Sequence, residues 1–367
     1  MVPRHRPRRP DPVAIDDRTL RLAAGMRLQV GALVDDEQSQ LLTSWARAWN
    51  EVAPEWEAAL NDLAATSKDG KWPTRTQIAR AKRAQQALEH TTDALTGLAR
   101  DMDVRVLRVL PRLTGMTATW QARIIGAQMP NVDQTPDVRL GVDWDRVDPK
   151  ALDAIVTRAA GQVQSRSYPL APRAVAAMKS EIIRGIAVGD NPRVAAARML
   201  ARVEGHFNGG LTRALVIART EMISAHREAA WAQDQAATDV LAGWTWTCAL
   251  DRRACPACLA MHGTVHPVAD PGPLGHQQCR CSRTPKAKSW RDLGFDIDEP
   301  ADIFPDARSW FEDLPEGSQL DIMGKARLDL LKSGSVTWDD LATRRTSAGW
   351  RDSFVPTPLS ALLAKAS

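Results

Sequence analysis

The stretch Cys248-Ala-Leu-Asp251-Arg-Arg-Ala-Cys255-Pro-Ala-Cys258-Leu-Ala-Met-His262-Gly263 is followed, after a Pro/Gly-rich loop, by His276-Gln-Gln-Cys279-Arg280-Cys281. Together they hold all five cysteines of the 367-residue chain. A C-x-x-C turn aims two sulfurs at one point, and a second Cys/His knuckle closes a tetrahedral site around one ion. Cys255 and Cys258 form the first knuckle, and His276, Cys279 and Cys281 offer three donors to the second, where two suffice. The metal candidates are therefore Cys255, Cys258, His276, Cys279 and Cys281, four of them ligands and one beside the ion, with structural zinc as the expected cofactor. Cys248 stands outside this set.

Three other readings compete. Disulfides suit an oxidising compartment, but a bond across Cys279-Arg-Cys281 would be badly strained, and no secretion signal opens the chain. A redox pair at Cys255-Pro-Ala-Cys258 needs a βαβ frame that the flanking sequence does not supply. Cysteines acting as small buried hydrophobes would explain burial but not clustering.

The composition is that of a soluble protein, 44% hydrophobic and 25% charged, and no apolar run reaches membrane-spanning length. The formal charge of +4 comes from Arg4, Arg6, Arg8 and Arg9, since without them the remaining Lys and Arg equal the 44 Asp and Glu. These four arginines sit in a Pro-broken arm that could touch DNA phosphates or an acidic protein surface.

The chain reads as α+β, predominantly α-helical. Residues 1–34 form a basic arm and a partly helical lead-in without a clean period. From Asp35 the residues Leu41, Trp45, Trp49, Val52, Trp56, Leu60 and Leu63 mark one helix face. Thr74 can cap a second helix through Ile78, Ala81, Leu88, Leu95, Leu98 and Met102, giving an antiparallel hairpin. The pattern continues to Ile125 with Pro111 as a kink or break, so 35–130 is a helical domain and 131–149 a linker. The domain expected at 150–285 begins with helices around Leu152–Val163 and Ala174–Ile186, and Gly189 is a stop. Asn191 caps a restart at Pro192, and Asn208-Gly209-Gly210 breaks the helix again. A long helix follows from Leu211 to about Val240, and the strand-like Gly243-Trp-Thr-Trp-Thr-Cys248 leads into the cysteines. The region 286–367 is a helical extension with one helix over Gln319–Leu331, a short helix at 336–341 and a mobile end.

Signatures of catalysis are missing: there is no Walker loop, no G-x-G-x-x-G after a strand, no G-x-S-x-G and no H-E-x-x-H. His206, His226 and His262 are isolated, and Arg219 and Glu221 point different ways on one helix. We expect Arg219, Glu221, Asp251 and Arg280 to form a polar framework, with Arg219 reaching Asp251. No enzymatic role is expected.

The ordered set Gly185-Ile-Ala-Val-Gly189-Asp-Asn-Pro192, Ala218-Arg219-Thr220-Glu221, Trp246, Asp251, Cys255-x-x-Cys258, Gly263, Pro273 and His276-x-x-Cys279-Arg280-Cys281 resembles the phage Mu protein F-like (MuF) minor head proteins, or head morphogenesis proteins. The segment from Leu314-Pro to Gly324-x-x-Arg327-x-x-Leu330 and Gly334-x-Val336 is similar to the tail common among them. The resemblance implies a minor capsid protein beside the portal, inside the virion capsid and assembled in the host cytoplasm. It implies the portal, the major capsid or scaffolding protein and packaged double-stranded DNA as partners, and a part in assembly, packaging or DNA ejection. One alternative is a zinc-ribbon nucleic-acid-binding protein using the arm and Arg252, Arg253, Arg280 and Arg283. A toxin or ADP-ribosyltransferase-like enzyme is the other, although nothing after residue 285 carries the motifs.

Overall fold

The computed structural model describes residues 14–65, 81–130, 146–167, 170–187, 192–347 and 350–366. Arg4, Arg6, Arg8 and Arg9, the Thr74 cap, Gly189 and Asn191 lie outside them. Among the described residues five long helices come first: α1 Asp17–Ala65, α2 Lys82–Ala127, α3 Pro149–Ser167, α4 Leu170–Ala187 and α5 Pro192–Gln235. Strands and short elements follow: β1 Leu241–Thr247, α6 Pro256–Met261, β2 Val265–His266, β3 Ser282–Ala287, α7 Ala307–Glu312, α8 Glu316–Met323 and α9 Lys325–Lys332. A 3-10 turn at Asp339–Leu341, β4 Ala342–Ser347, β5 Trp350–Pro356 and α10 Leu359–Ala366 complete the order, so the fold is a predominantly helical α+β one.

One compact unit comprises residues 33–110 and 156–222. Its core is the tryptophan stripe of α1. The Trp45 ring meets Phe207 edge-on at 6.0 Å and its Nε1 donates to the Phe207 carbonyl at 3.2 Å. Trp56 Nε1 donates to Thr91 Oγ1 at 2.8 Å, so two large rings are buried without an orphaned N–H. The break expected at Asn208-Gly209-Gly210 is not there, and α5 runs through it. A Cβ on Gly210 would stand 3.2 Å from the Trp45 ring, so this glycine serves close packing and not a turn.

The other unit comprises 1–32, 111–155 and 223–367. The lead-in expected over 11–34 is, from Asp17, the first part of α1. Ile15, Thr19, Ala23, Met26, Val30 and Val34 recur every three or four residues, and all are buried. Pro111 does not break α2. Leu110 and Leu113 beside it are fully buried, and their packing outweighs the ~3 kcal/mol that an internal proline costs. The small sheet is antiparallel with order β2-β1-β3, pairing Trp244 with His266 and Trp246 with Arg283. Gly243 is needed here, because a Cβ would fall 2.5 Å from the His266 carbonyl oxygen.

The C-terminal region departs furthest from expectation. The single helix over Gln319–Leu331 is two, α8 and α9, separated at Gly324, whose φ of 71° lies in the left-handed region that ends helices. The helix expected at 336–341 shrinks to the 3-10 turn, and the end is ordered as the β4-β5 hairpin and α10. From β5, Phe354 packs edge-on against Trp246 at 5.7 Å and its N–H donates to the Leu274 carbonyl at 2.8 Å. The hairpin thereby braces the loop that carries His276.

Candidate metal centre

Five segments converge at the end of the small sheet. Strand β1 runs directly into Cys248, and α6 begins after Cys255, whose sulfur accepts from the Cys258 N–H at 3.4 Å. Pro256 occupies the first helical position, where its missing N–H costs nothing, so the C-P-A-C turn is set by its own sequence. The loop braced by Phe354 delivers His276. A turn with Gln278 at φ 61° and a Cys279 N–H bond to the His276 carbonyl (3.1 Å) then brings Cys279 to the same point. Cys281 follows, just before β3. Gly275 is required by close approach, since a Cβ there would lie 2.7 Å from Arg227 Nη1 and Nη2 and from Cys279 Sγ.

The donor atoms form two triads, Cys248/Cys258/Cys281 and Cys255/Cys258/His276, within each of which they lie no more than 4.8 Å apart. His276 Nε2 is 3.1 Å from Cys255 Sγ and 3.5 Å from Cys258 Sγ, and Cys258 Sγ is 3.6 Å from Cys279 Sγ. Sulfurs bound to one zinc at ~2.3 Å sit roughly 3.8 Å apart on a tetrahedron, so the thiols are spaced as ligands. His276 Nδ1–H donates to the Gln277 carbonyl at 2.7 Å, which leaves the Nε2 lone pair facing the sulfurs.

The surroundings hold these donors in place. His262 Nδ1 accepts from the Cys248 N–H at 3.0 Å while Nε2–H donates to the Pro305 carbonyl at 2.9 Å, so a neutral imidazole fixes Cys248. Buried Arg227 donates to the carbonyls of Cys279 and Cys281, each at 2.9 Å. Arg280 grips Asp251 with two bonds of 2.6 and 2.8 Å. Burial of the half-buried Arg27 guanidinium holds its pKa below the ordinary value, the charges of Cys248 and Cys281 act the other way, and its Nη1 has no hydrogen-bond partner among the described residues.

Hydrogen bonding, from Cys258 first and then from His276, holds the Cys255 thiol down to about 5 against the effect of burial. Bonds from Cys248, Cys258 and Cys279 hold Cys281 well below the ordinary thiol range. Cys258, bonded with Cys248, Cys255, Cys279 and Cys281, is pushed up. Thiolate, the form that binds metal, is therefore favoured at Cys255 and Cys281.

The structure brings together all five residues proposed as ligands and adds Cys248, which knuckle spacing left out. The signal that would have included it is the confinement of every cysteine to one stretch. The polar framework is distributed differently from expectation. Arg219 bonds Gln38 (2.8 Å) and Asp35 (3.3 Å), Glu221 pairs with Arg166, and Asp251 is held by Arg280 instead of Arg219. Arg283, suggested as a phosphate contact, is fully buried against Asp234 at 2.6 Å and stacks over Trp244 at 4.6 Å, so it cannot grip a nucleic acid. Arg252 and Arg253 are exposed. His226 is a core residue, bonded to Thr117 Oγ1 at 2.9 Å.

Over residues 176–284 the chain matches the family model described as Phage Mu protein F like protein, and that segment is Mu protein F-like. No curated protein and no solved structure matches the chain.

Proposed function

We propose that this chain, Mu protein F-like over residues 176–284, is a minor capsid protein of phage head morphogenesis, housed inside the head beside the portal. It assists capsid assembly and DNA packaging or delivery. Its partners are the portal protein, the major capsid or scaffolding protein and packaged double-stranded DNA. The family match is the observation that carries this reading.

The thiol cluster serves it as a structural zinc centre. Structural zinc sites are closed by protein ligands, whereas catalytic ones keep a position open for water or substrate. Here five thiols and an imidazole crowd one point, more than enough to enclose an ion, which supports a stapling role without catalysis. The zinc would hold the loop between the two knuckles onto the sheet, and no residue of the site is assigned a reaction step.

The test is the protein composition of purified, nuclease-treated particles. Mass spectrometry should find this chain at a few copies per particle. Its confinement to the infected-cell cytosol would overturn the reading.

A further inference from the structure

We propose that the cluster binds two metal ions, bridged by the sulfurs of Cys258 and Cys279. This rests on the zinc reading of the site and is independent of the head-protein reading. A tetrahedral ion takes four donors, but six converge here: Cys248, Cys255, Cys258, His276, Cys279 and Cys281. A single ion would leave two soft donors buried without a metal partner beside an ion that favours them. The geometry divides five of the six into two sets that share Cys258. Cys248 and Cys281 lie on one side and Cys255 and His276 on the other, each pair forming a triad with Cys258. Cys279 stands outside both triads, and its sulfur, 3.6 Å from that of Cys258, is the sixth donor, which a second bridge must draw onto both ions.

A thiolate sulfur has lone pairs enough to bond two ions at once. If Cys258 and Cys279 are shared, one ion takes Cys248, Cys281 and the two bridges, and the other takes Cys255, His276 and the same bridges. Both are then four-coordinate, every donor is used, and no position is open. Five thiolates lose their protons to solvent as two divalent ions enter, which leaves a net charge of about −1 with a neutral imidazole. The guanidinium groups of half-buried Arg27 and buried Arg227 supply the compensating positive field.

The measurement is the metal content of the full-length chain, purified under reducing conditions with zinc present, by elemental analysis and native mass spectrometry. About two zinc ions per chain are expected. One ion per chain overturns the bridged centre and leaves the zinc staple standing, and no ion overturns both; neither result bears on residence in the head. Cadmium-113 substitution gives a second readout that needs no variant. Two resonances, each split by the other through the shared sulfurs, are expected, and a single resonance or two unsplit ones contradict the bridge. Cys248→Ser should lower the content from about two ions to about one, whereas a variant that keeps both ions would contradict the assignment.

Discussion

Asp234 and Arg283 are both fully buried, and each depends on the other. Asp234 also accepts from Gln121 Nε2 at 2.8 Å, and Arg283 donates towards the carbonyls of Asp270 and Gly272 at 3.3 Å. Removing one partner of such a pair leaves a charge without compensation inside the protein, at a cost of about 3–5 kcal/mol. Arg283→Met should therefore lower the stability read by urea denaturation by about that amount, and the double replacement with Asp234→Leu should recover a good part of it. An unchanged midpoint for Arg283→Met would show that the pair does not matter. His226 makes a prediction about acid. Burial first, then the nearby charges of Arg227 and Arg27, hold its pKa down to about 3 from the ordinary 6.5. Between those values the unfolded chain binds a proton that the folded chain refuses, so stability rises with pH across this window and is lost as pH falls through it. The full loss, reached only below the folded value, approaches ~5 kcal/mol. Acid also strips thiolate-bound metal, so the comparison is His226→Gln against the parent from pH 7 to pH 4. The parent should lose more stability than the variant.

Helix α5 offers a test of why an element continues where its sequence suggests a stop. Gly209 is exposed with open space around its Cα, whereas Gly210 faces the Trp45 ring. Gly209→Ala should raise the thermal midpoint, by ~0.5–1 kcal/mol in stability, because alanine is the better helix former. Gly210→Ala should gain less or lose, since the ring must give way. If the two substitutions behave alike, the account of Gly210 is wrong. The tryptophan stripe of α1 was legible in sequence because its period survives from Leu41 to Leu63, about six turns, and strand β1 was legible from alternating Trp and Thr. What escaped was hidden for identifiable reasons. Thr19 and Ala23 interrupt the apolar look of early α1 but not its burial. Pro111 and Gly209-Gly210 are stop signals that tertiary packing overrode. The β4-β5 hairpin carries Arg344, Arg345, Arg351 and Asp352 among its strands, so its pattern is mostly that of an exposed ribbon. In the site, the C-x-x-C and H-x-x-C-x-C spacings exposed five donors. Cys248 is brought in by the β1 register and by His262, which spacing does not record.

At the scale of the whole molecule, the two compact units should respond differently to loss of metal. The unit formed by 33–110 and 156–222 has a core of its own around Trp45, Trp56 and Phe207. The unit holding the cysteines keeps its small sheet, the His276 loop and the β4-β5 hairpin around the thiol cluster. Structural zinc contributes ~10 kcal/mol or more of binding free energy in small peptides at neutral pH, comparable to the stability of an entire domain. Hydrogen exchange of the full-length protein, with metal and after chelation under reducing conditions, is the most direct test. Protection over residues 241–287 should collapse on metal removal while the helices at 33–65 and 82–110 keep theirs. Protection unchanged over 241–287 after the protein has lost its metal would contradict the central claim that an ion holds this site together.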